Sequence, residues 1–136
     1  MPEGIAEGIG ASVRRKEDKK FTTGKGRYTD DINRPGQLHA FFIRSNVAHA
    51  KIKNIDITKA LKSDGVAAIY TGEDIAADGV GGPICGWTPT NRDGSAPKEP
   101  PHPLLANGKV RYVGDHIAVV IADSMEQAKS AAEQVK

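Results

Sequence analysis

The length and charge of the chain already exclude several classes of protein. Its 136 residues carry a formal net charge of +2, from 19 basic and 17 acidic residues, so no global field attracts nucleic acid or an anionic membrane. No apolar run approaches the roughly 18 residues of a transmembrane helix, and the single cysteine, Cys85, excludes an internal disulfide and favours a reducing cytoplasm.

The N-terminal part of the chain is predicted to contain little regular structure. Residues 1–12 hold three glycines and no periodic pattern, so we expect a flexible lead-in followed by one domain over residues 13–136. Residues 14–20 form a charge run that acidic residues interrupt, which is typical of a solvated surface rather than a phosphate-binding arm. We interpret Gly24 and Gly26 as turn residues, because a phosphate loop needs a longer glycine pattern that leads into a helix.

Two strands are predicted next, over residues 37–45 and 48–57. In the first strand, the even-numbered residues are expected on one face of the sheet and the odd-numbered residues on the other, with apolar side chains on both faces. The second alternates more cleanly, with a slip that indicates a bulge near Asn54. The short link at 45–47 predicts a hairpin, in which His39 and His49 could face each other.

The middle of the chain is predicted to hold a short helix, a strand and a helical turn. Residues 58–63 have the length of one short helix, with Ala60 and Leu61 facing inward and Gly65 ending it. Residues 66–70 are mostly apolar and predict a third strand. Thr71 is typical of the cap of a following helical turn.

Residues 78–108 are predicted to form a long loop. Six glycines and six prolines fall in these 31 residues, and no period of 2 or 3.6 persists. Loops of this length are usually functional or disordered. Because Cys85 and Trp87 lie within it, we expect part of the loop to pack against another surface, or to be mobile where that surface is missing.

The last segment predicts two strands and a helix. Residues 109–113 alternate, Gly114 and Asp115 indicate a turn, and residues 117–122 are continuously apolar, as in a strand covered on both faces. Ser124 and Gln127 have the spacing of a capping box. Four side chains are predicted to share the inward face of the helix: Met125, Ala128, Ala132 and Val135.

The chain stops at Lys136, at the end of this predicted helix, without a glycine cap or a polar tail. We take this ending as an indication that the polypeptide is a piece of a larger one. On this interpretation, apolar surface left without its neighbours could also drive self-association.

No pattern typical of an active site occurs in the sequence. The histidines, His39, His49, His102 and His116, are scattered without zinc-ligand spacing. Cys85 would need a base to act as a nucleophile, and no Gly-x-Ser-x-Gly elbow is present. The adjacent Asp30 and Asp31 point apart on an extended segment. We therefore predict no catalytic, cofactor-binding or metal-binding residue in this chain.

Three segments, taken in order, resemble a known family. They are residues 24–32 (GKGRYTDDI), residues 42–45 and 48–52 (FIRS, AHAKI), and residues 110–115 with 118–122 (VRYVGD, AVVIA). Over residues 9–136 the chain resembles the α/β-hammerhead domain that opens the molybdenum-binding large subunit of the xanthine dehydrogenase, aldehyde oxidase and aerobic carbon monoxide dehydrogenase family. The fold that the resemblance implies is α+β, a mixed sheet with two or three helices packed on it.

The resemblance also implies a function for the intact enzyme. Members of this family oxidise a C–H bond, or CO, with oxygen from water at a molybdenum–pterin cytosine dinucleotide. Electrons then pass through Fe–S clusters to FAD or another acceptor. The base and the pterin-binding residues belong to later domains, so this chain would be an inactive structural part that contacts those domains and the Fe–S and FAD subunits.

Two other hypotheses stay open on the sequence alone. A free-standing module could bind a small molecule or a protein through the loop 78–108, with Trp87 as its anchor. A small thiol enzyme could be centred on Cys85.

Overall fold

The structure is a computed structural model that describes residues 9–10 and 15–136. The chain divides into two compact units, residues 1–35 and 36–136. Apart from residues 9 and 10, the predicted lead-in 1–12 lies outside the described residues, as do residues 13 and 14.

The first unit contains a short helix, α1 (Asp18–Thr22), and a 3₁₀ turn over Thr29–Asp31. The sequence pattern did not predict α1, which begins in the charge run, extends two residues beyond it and buries no side chain. Gly24 takes a positive φ of 70°, which confirms its interpretation as a turn residue. Gly26 lies against the ring of Phe21, where a Cβ would overlap that ring.

The larger sheet of the second unit has three antiparallel strands. In spatial order they are β1 (His39–Arg44), β5 (His116–Ala122) and β3 (Val66–Thr71). The predicted faces of β1 are confirmed, because its odd-numbered residues are half-buried and its even-numbered residues are exposed. The central strand β5 buries Ala118, Val120 and Ala122 on one face, and the side chains between them are half-buried.

The pairing of the strands corrects three predictions. The smaller sheet pairs β2 (Ala50–Lys51) with β4 (Lys109–Val110), and both strands are shorter than the sequence pattern predicts. The hairpin predicted across 45–47 is wrong, since β1 pairs with β5 instead of β2. Register irregularities occur between Ile43 and Arg44 and between Val66 and Ala68, not near Asn54.

Two helices and a 3₁₀ turn complete the second unit. They are α2 (Gly72–Ala77), α3 (Met125–Ala132) and the turn Ala60–Lys62. α3 begins as predicted, because the Ser124 hydroxyl accepts a hydrogen bond from the Gln127 backbone N–H at 3.2 Å. In the turn Ala60 is buried, but Leu61 is exposed, contrary to its predicted inward orientation.

The core lies between α3 and the larger sheet. Its buried members are Ala60, Ile69, Val120, Ala122, Ala128 and Ala131. Of the four residues predicted on the inward face of α3, Ala128 is buried and Ala132 is half-buried against the core, whereas Met125 is exposed. Val135 also packs against the core, but it lies beyond the end of the helix at Ala132, and Ala131 is a buried residue that the prediction missed. The α+β fold class that the resemblance implies is confirmed. Among the described residues, however, the strands pair only antiparallel and form two sheets instead of one mixed sheet. Among the described residues, no helix has the length and apolar character needed to span a bilayer.

Candidate functional site

The loop 78–108, which connects α2 to β4, contains neither helix nor strand, as predicted. Its C-terminal end is fixed, because Leu105 and Ala106 are buried and the Ala106 N–H donates to the His116 carbonyl at 2.6 Å. Its two arms meet at a neck where Gly82 lies against the carbonyl of His102, so closely that a Cβ at Gly82 would overlap it. The loop is therefore closed near its base and open beyond the neck.

The segment 84–87, which directly follows the neck and which we call the tip of the loop, exposes apolar side chains. Ile84 is 96% exposed and Trp87 is 77% exposed. The Cys85 thiol is also exposed, and its Sγ donates to the Trp87 carbonyl at 3.0 Å. The expected packing of Trp87 is therefore not made within the described residues, and the hydrogen bond of the thiol goes to a backbone carbonyl rather than to a base.

The second half of the loop is organised by one carboxylate. Asp93 Oδ1 accepts from the Ser95 hydroxyl at 2.6 Å and from the Ser95 N–H at 3.0 Å. Both hydrogen bonds stabilise the charged carboxylate, so the Ser95 hydroxyl first, and then its N–H, hold the pKa of Asp93 below its usual value. This carboxylate closes a turn at residues 91–95.

Four further aspartates also hold turns. Asp31 accepts from the Tyr28 N–H at 2.8 Å, and Asp56 accepts from the Thr58 N–H at 2.9 Å. Asp74 accepts from both the N–H and the hydroxyl of Thr71 at 2.7 Å. Asp115, which is buried, accepts from the Arg111 N–H at 2.9 Å. The sequence patterns did not assign this shared role, although each aspartate lies two to four residues from its donor in the sequence.

These hydrogen bonds also set the ionisation of two of the carboxylates. The pKa of Asp74 lies below its usual value, mainly because the Thr71 hydroxyl and then the Thr71 N–H stabilise its charged form. The pKa of Asp56 is lowered in the same way, first by the Thr58 N–H and then by the Thr58 hydroxyl. The lowered pKa values keep both carboxylates charged while they accept the hydrogen bonds that hold the backbone in place.

The four histidines do not come together. His39 lies opposite Ala122 on the larger sheet, and His49 is exposed just before β2, so the predicted encounter of these two side chains does not occur. His116 lies opposite Arg44, its ring centroid 4.8 Å from that of Phe42, and its buried Nε2 has no hydrogen-bond partner. Among the described residues, no group of three or more His, Cys, Asp or Glu side chains is placed to hold a metal ion.

An open groove of about 590 Å³ runs along the outer edge of β1. Its floor is apolar, formed by the stretch 40–43 of β1 and by Ala132 of α3, and its rim carries the charges of Arg44, Lys129 and Glu133. The sequence analysis did not identify this groove. One signal could have indicated it, since residues 38–43 carry apolar side chains on both faces of the strand.

The chain matches a family model over residues 23–136. The model describes "Aldehyde oxidase and xanthine dehydrogenase, a/b hammerhead domain". The match covers both sheets and all of α3.

Curated relatives and solved structures give the same result. The chain is 39% identical to the nicotine 6-hydroxylase large subunit of Paenarthrobacter nicotinovorans, over 93% of this chain and 15% of that protein. It is 39% identical to the carbon monoxide dehydrogenase large chain of Hydrogenophaga pseudoflava, over 89% of this chain and 14% of that protein. Quinoline 2-oxidoreductase from Pseudomonas putida 86 superposes with a TM-score of 0.79 at 36% identity, over 91% of this chain and 15% of that one.

Proposed function

The chain belongs to the aldehyde oxidase and xanthine dehydrogenase family through its a/b hammerhead domain, and we propose that it is a structural part of a molybdenum hydroxylase large subunit. The chain spans about 15% of the length of the relative from Paenarthrobacter nicotinovorans. In this proposal it forms the N-terminal domain, with a lead-in over residues 1–12, and has no activity of its own.

The use of the aspartates is the observation that carries this proposal. Five carboxylates that could serve in chemistry instead accept hydrogen bonds from nearby backbone N–H groups. Such hydrogen bonds hold turns and stabilise the charged form of the acid. A general acid or base needs a pKa near the working pH, so a lowered pKa opposes that role for Asp56, Asp74 and Asp93.

In the intact enzyme we expect hydroxylation of a C–H substrate, such as an aldehyde or an N-heterocycle, or oxidation of CO, with oxygen from water. We assign the molybdenum–pterin group to later domains of the same subunit, and the Fe–S clusters and FAD to partner subunits or domains. The lone cysteine favours a cytoplasmic enzyme.

Two measurements and the gene sequence test the structural role. The purified 136-residue chain should reduce no dye acceptor with an aldehyde, an N-heterocycle or CO as substrate, and metal analysis should find no stoichiometric molybdenum. Turnover by this chain at a useful rate would contradict the proposal. Reading the gene past the codon for Lys136 should reveal several hundred further codons in frame.

A second candidate function is a free-standing binding module that uses the loop 78–108. The exposure of Ile84 and Trp87 favours it, because apolar side chains at a loop tip can anchor a ligand or a protein. Trp87 is the only tryptophan, so its fluorescence reports directly on the tip.

Titration of the isolated chain with candidate ligands, followed by Trp87 emission, separates the two functions. Saturable changes that disappear in Trp87→Ala or Ile84→Ser would favour the binding module, and a stop codon directly after Lys136 would agree with it. A thiol enzyme would need an activity that Cys85→Ser abolishes, and any measured activity that survives this substitution would exclude it.

A further inference from the structure

The outer edge of β1 directs backbone hydrogen-bonding groups away from its sheet. At the end of this strand, the Ser45 N–H donates to the Asp115 carbonyl, and the Ser45 carbonyl accepts from the Gly114 N–H, both at 2.8 Å. Ser45 therefore points both groups towards the β5 side. Because these groups alternate sides along a strand, three residues point theirs away from β5: Ala40, Phe42 and Arg44.

Over residues 40–43 this edge lacks the features that usually prevent edge-to-edge pairing, and the charged Arg44 lies only at its end. Within the unit 36–136, β1 has a strand on one side only. Natural edge strands are protected by prolines, inward charges or bulges. The stretch Ala-Phe-Phe-Ile over residues 40–43 has no proline and no charge, and its register irregularity comes only at the end, between Ile43 and Arg44.

The two charged residues of α3 on the groove rim are arranged so that each would face an opposite charge in a second copy of the chain. Lys129 and Glu133 lie four residues apart, one helical turn, on the side of α3 that lines the groove. A two-fold axis perpendicular to the sheet, midway between β1 and the β1 of a second copy, would place a second α3 antiparallel to the first. Each Lys129 would then lie beside a Glu133 of the other copy, so the same pair of opposite charges would form twice.

From these observations, we propose that two copies of this chain associate through the β1 edge and form a continuous six-stranded sheet. The occupant of the groove is thus a second copy. The strands pair antiparallel about an axis at Phe42, because this register alone allows all three outward-pointing residues of each copy to pair. Phe42 then lies opposite Phe42 of the second copy, and Ala40 lies opposite Arg44 of the second copy.

The helices fit this arrangement. α3 packs over β1 and β5, and neighbouring strands are about 4.8 Å apart. Two copies of α3 related by the axis would therefore lie about 10 Å apart, close to the 8–10 Å of packed helices. The groove residues Phe41 and Ala132 would become buried between them. This inference goes beyond the proposed function and does not depend on it.

The test is sedimentation velocity of the 136-residue chain over a concentration range up to a few hundred micromolar. We expect a monomer–dimer equilibrium that shifts with concentration, as mass action requires. Lys129→Glu or Glu133→Lys alone should weaken the dimer about tenfold, because two attractive pairs become repulsive. The double exchange Lys129→Glu with Glu133→Lys should restore dimerisation, and Glu126→Lys, which changes a charge on α3 outside the groove, is the matched control.

A backbone variant tests the strand pairing itself. Ala40→Pro removes one outward-pointing N–H and should abolish the dimer, while circular dichroism checks that the fold is kept. The charge exchanges at the surface keep the proposal testable if this variant does not fold. A chain that stays monomeric at every concentration, or a dimer that the single charge variants leave unchanged, would overturn the proposal.

Discussion

The helix α3 with its sheet and the loop 78–108 show two different ways in which this chain is ordered. α3 and β5 are held by side chains with no exposure to solvent, among them Val120, Ala128 and Ala131. The loop is held by a few backbone contacts near its neck, while Ile84 and Trp87 at its tip are largely exposed. The comparison indicates that stability resides in the first region and that the second can change with little effect on the fold.

The largest effect is expected from Val120→Ala, which removes two methyl groups from the largest fully buried side chain. Loss of these contacts and the resulting cavity should lower the free energy of unfolding by about 2–3 kcal/mol. Urea denaturation followed by circular dichroism measures the change. The matched control Val80→Ala, in the exposed part of the loop, should change it by less than about 0.5 kcal/mol. Equal effects of the two variants would contradict the conclusion that stability resides in α3 and its sheet and not in the loop.

A smaller effect is expected from Ser124→Ala at the start of α3. The Ser124 hydroxyl accepts from the Gln127 N–H, and loss of such an N-cap typically costs about 1 kcal/mol. Ser130→Ala, an exposed position inside the same helix, should be neutral or slightly stabilising, since alanine favours helices. Urea denaturation of both variants decides the matter, and a neutral Ser124→Ala would show that packing alone fixes where α3 begins.

The stability of the α2 cap should depend on pH. In the folded chain Thr71 holds the pKa of Asp74 below its ordinary value of 3.8. The unfolded chain therefore binds this proton first as the pH falls, so the stabilisation is present above about 3.8 and is lost as the pH passes through the lower folded pKa. When the unfolding free energy is measured against pH, it should decrease less steeply in the acid range for Asp74→Asn than for the parent chain. Glu73→Gln, in the same turn, should not have this effect. An identical decrease for Asp74→Asn and the parent chain would contradict this role.

The smallest effect is expected from Trp87→Ala. With 77% of its surface exposed, the side chain contributes little burial, so the free energy of unfolding should change by less than about 0.5 kcal/mol. Emission from Trp87 should lie near that of free tryptophan in water. A blue-shifted emission, or a loss of stability above 1 kcal/mol, would show that the tip packs against another surface in solution.

Local signals in the sequence were sufficient where the interactions are themselves local. The Ser124 and Thr71 caps and the apolar run of β5 depend on neighbours within a few residues, and each was predicted correctly. The hairpin after β1 was wrong because the true partner, β5, lies more than 70 residues away, and alternation alone carries no information about which strand pairs with which. The groove beside β1 depends on the same distant pairing and on the position of α3, which explains why the sequence analysis did not identify it.

The neck formed by Gly82 and His102 has a consequence for how the chain can vary. Once both ends of a flexible segment are fixed, the entropy of closing it grows only with the logarithm of its length, so doubling the length costs only about 0.6 kcal/mol. Residues beyond the neck could therefore be lengthened, shortened or exchanged for a different sequence while the two sheets remain intact. Grafting a foreign peptide between residues 83 and 101 should therefore yield a folded protein.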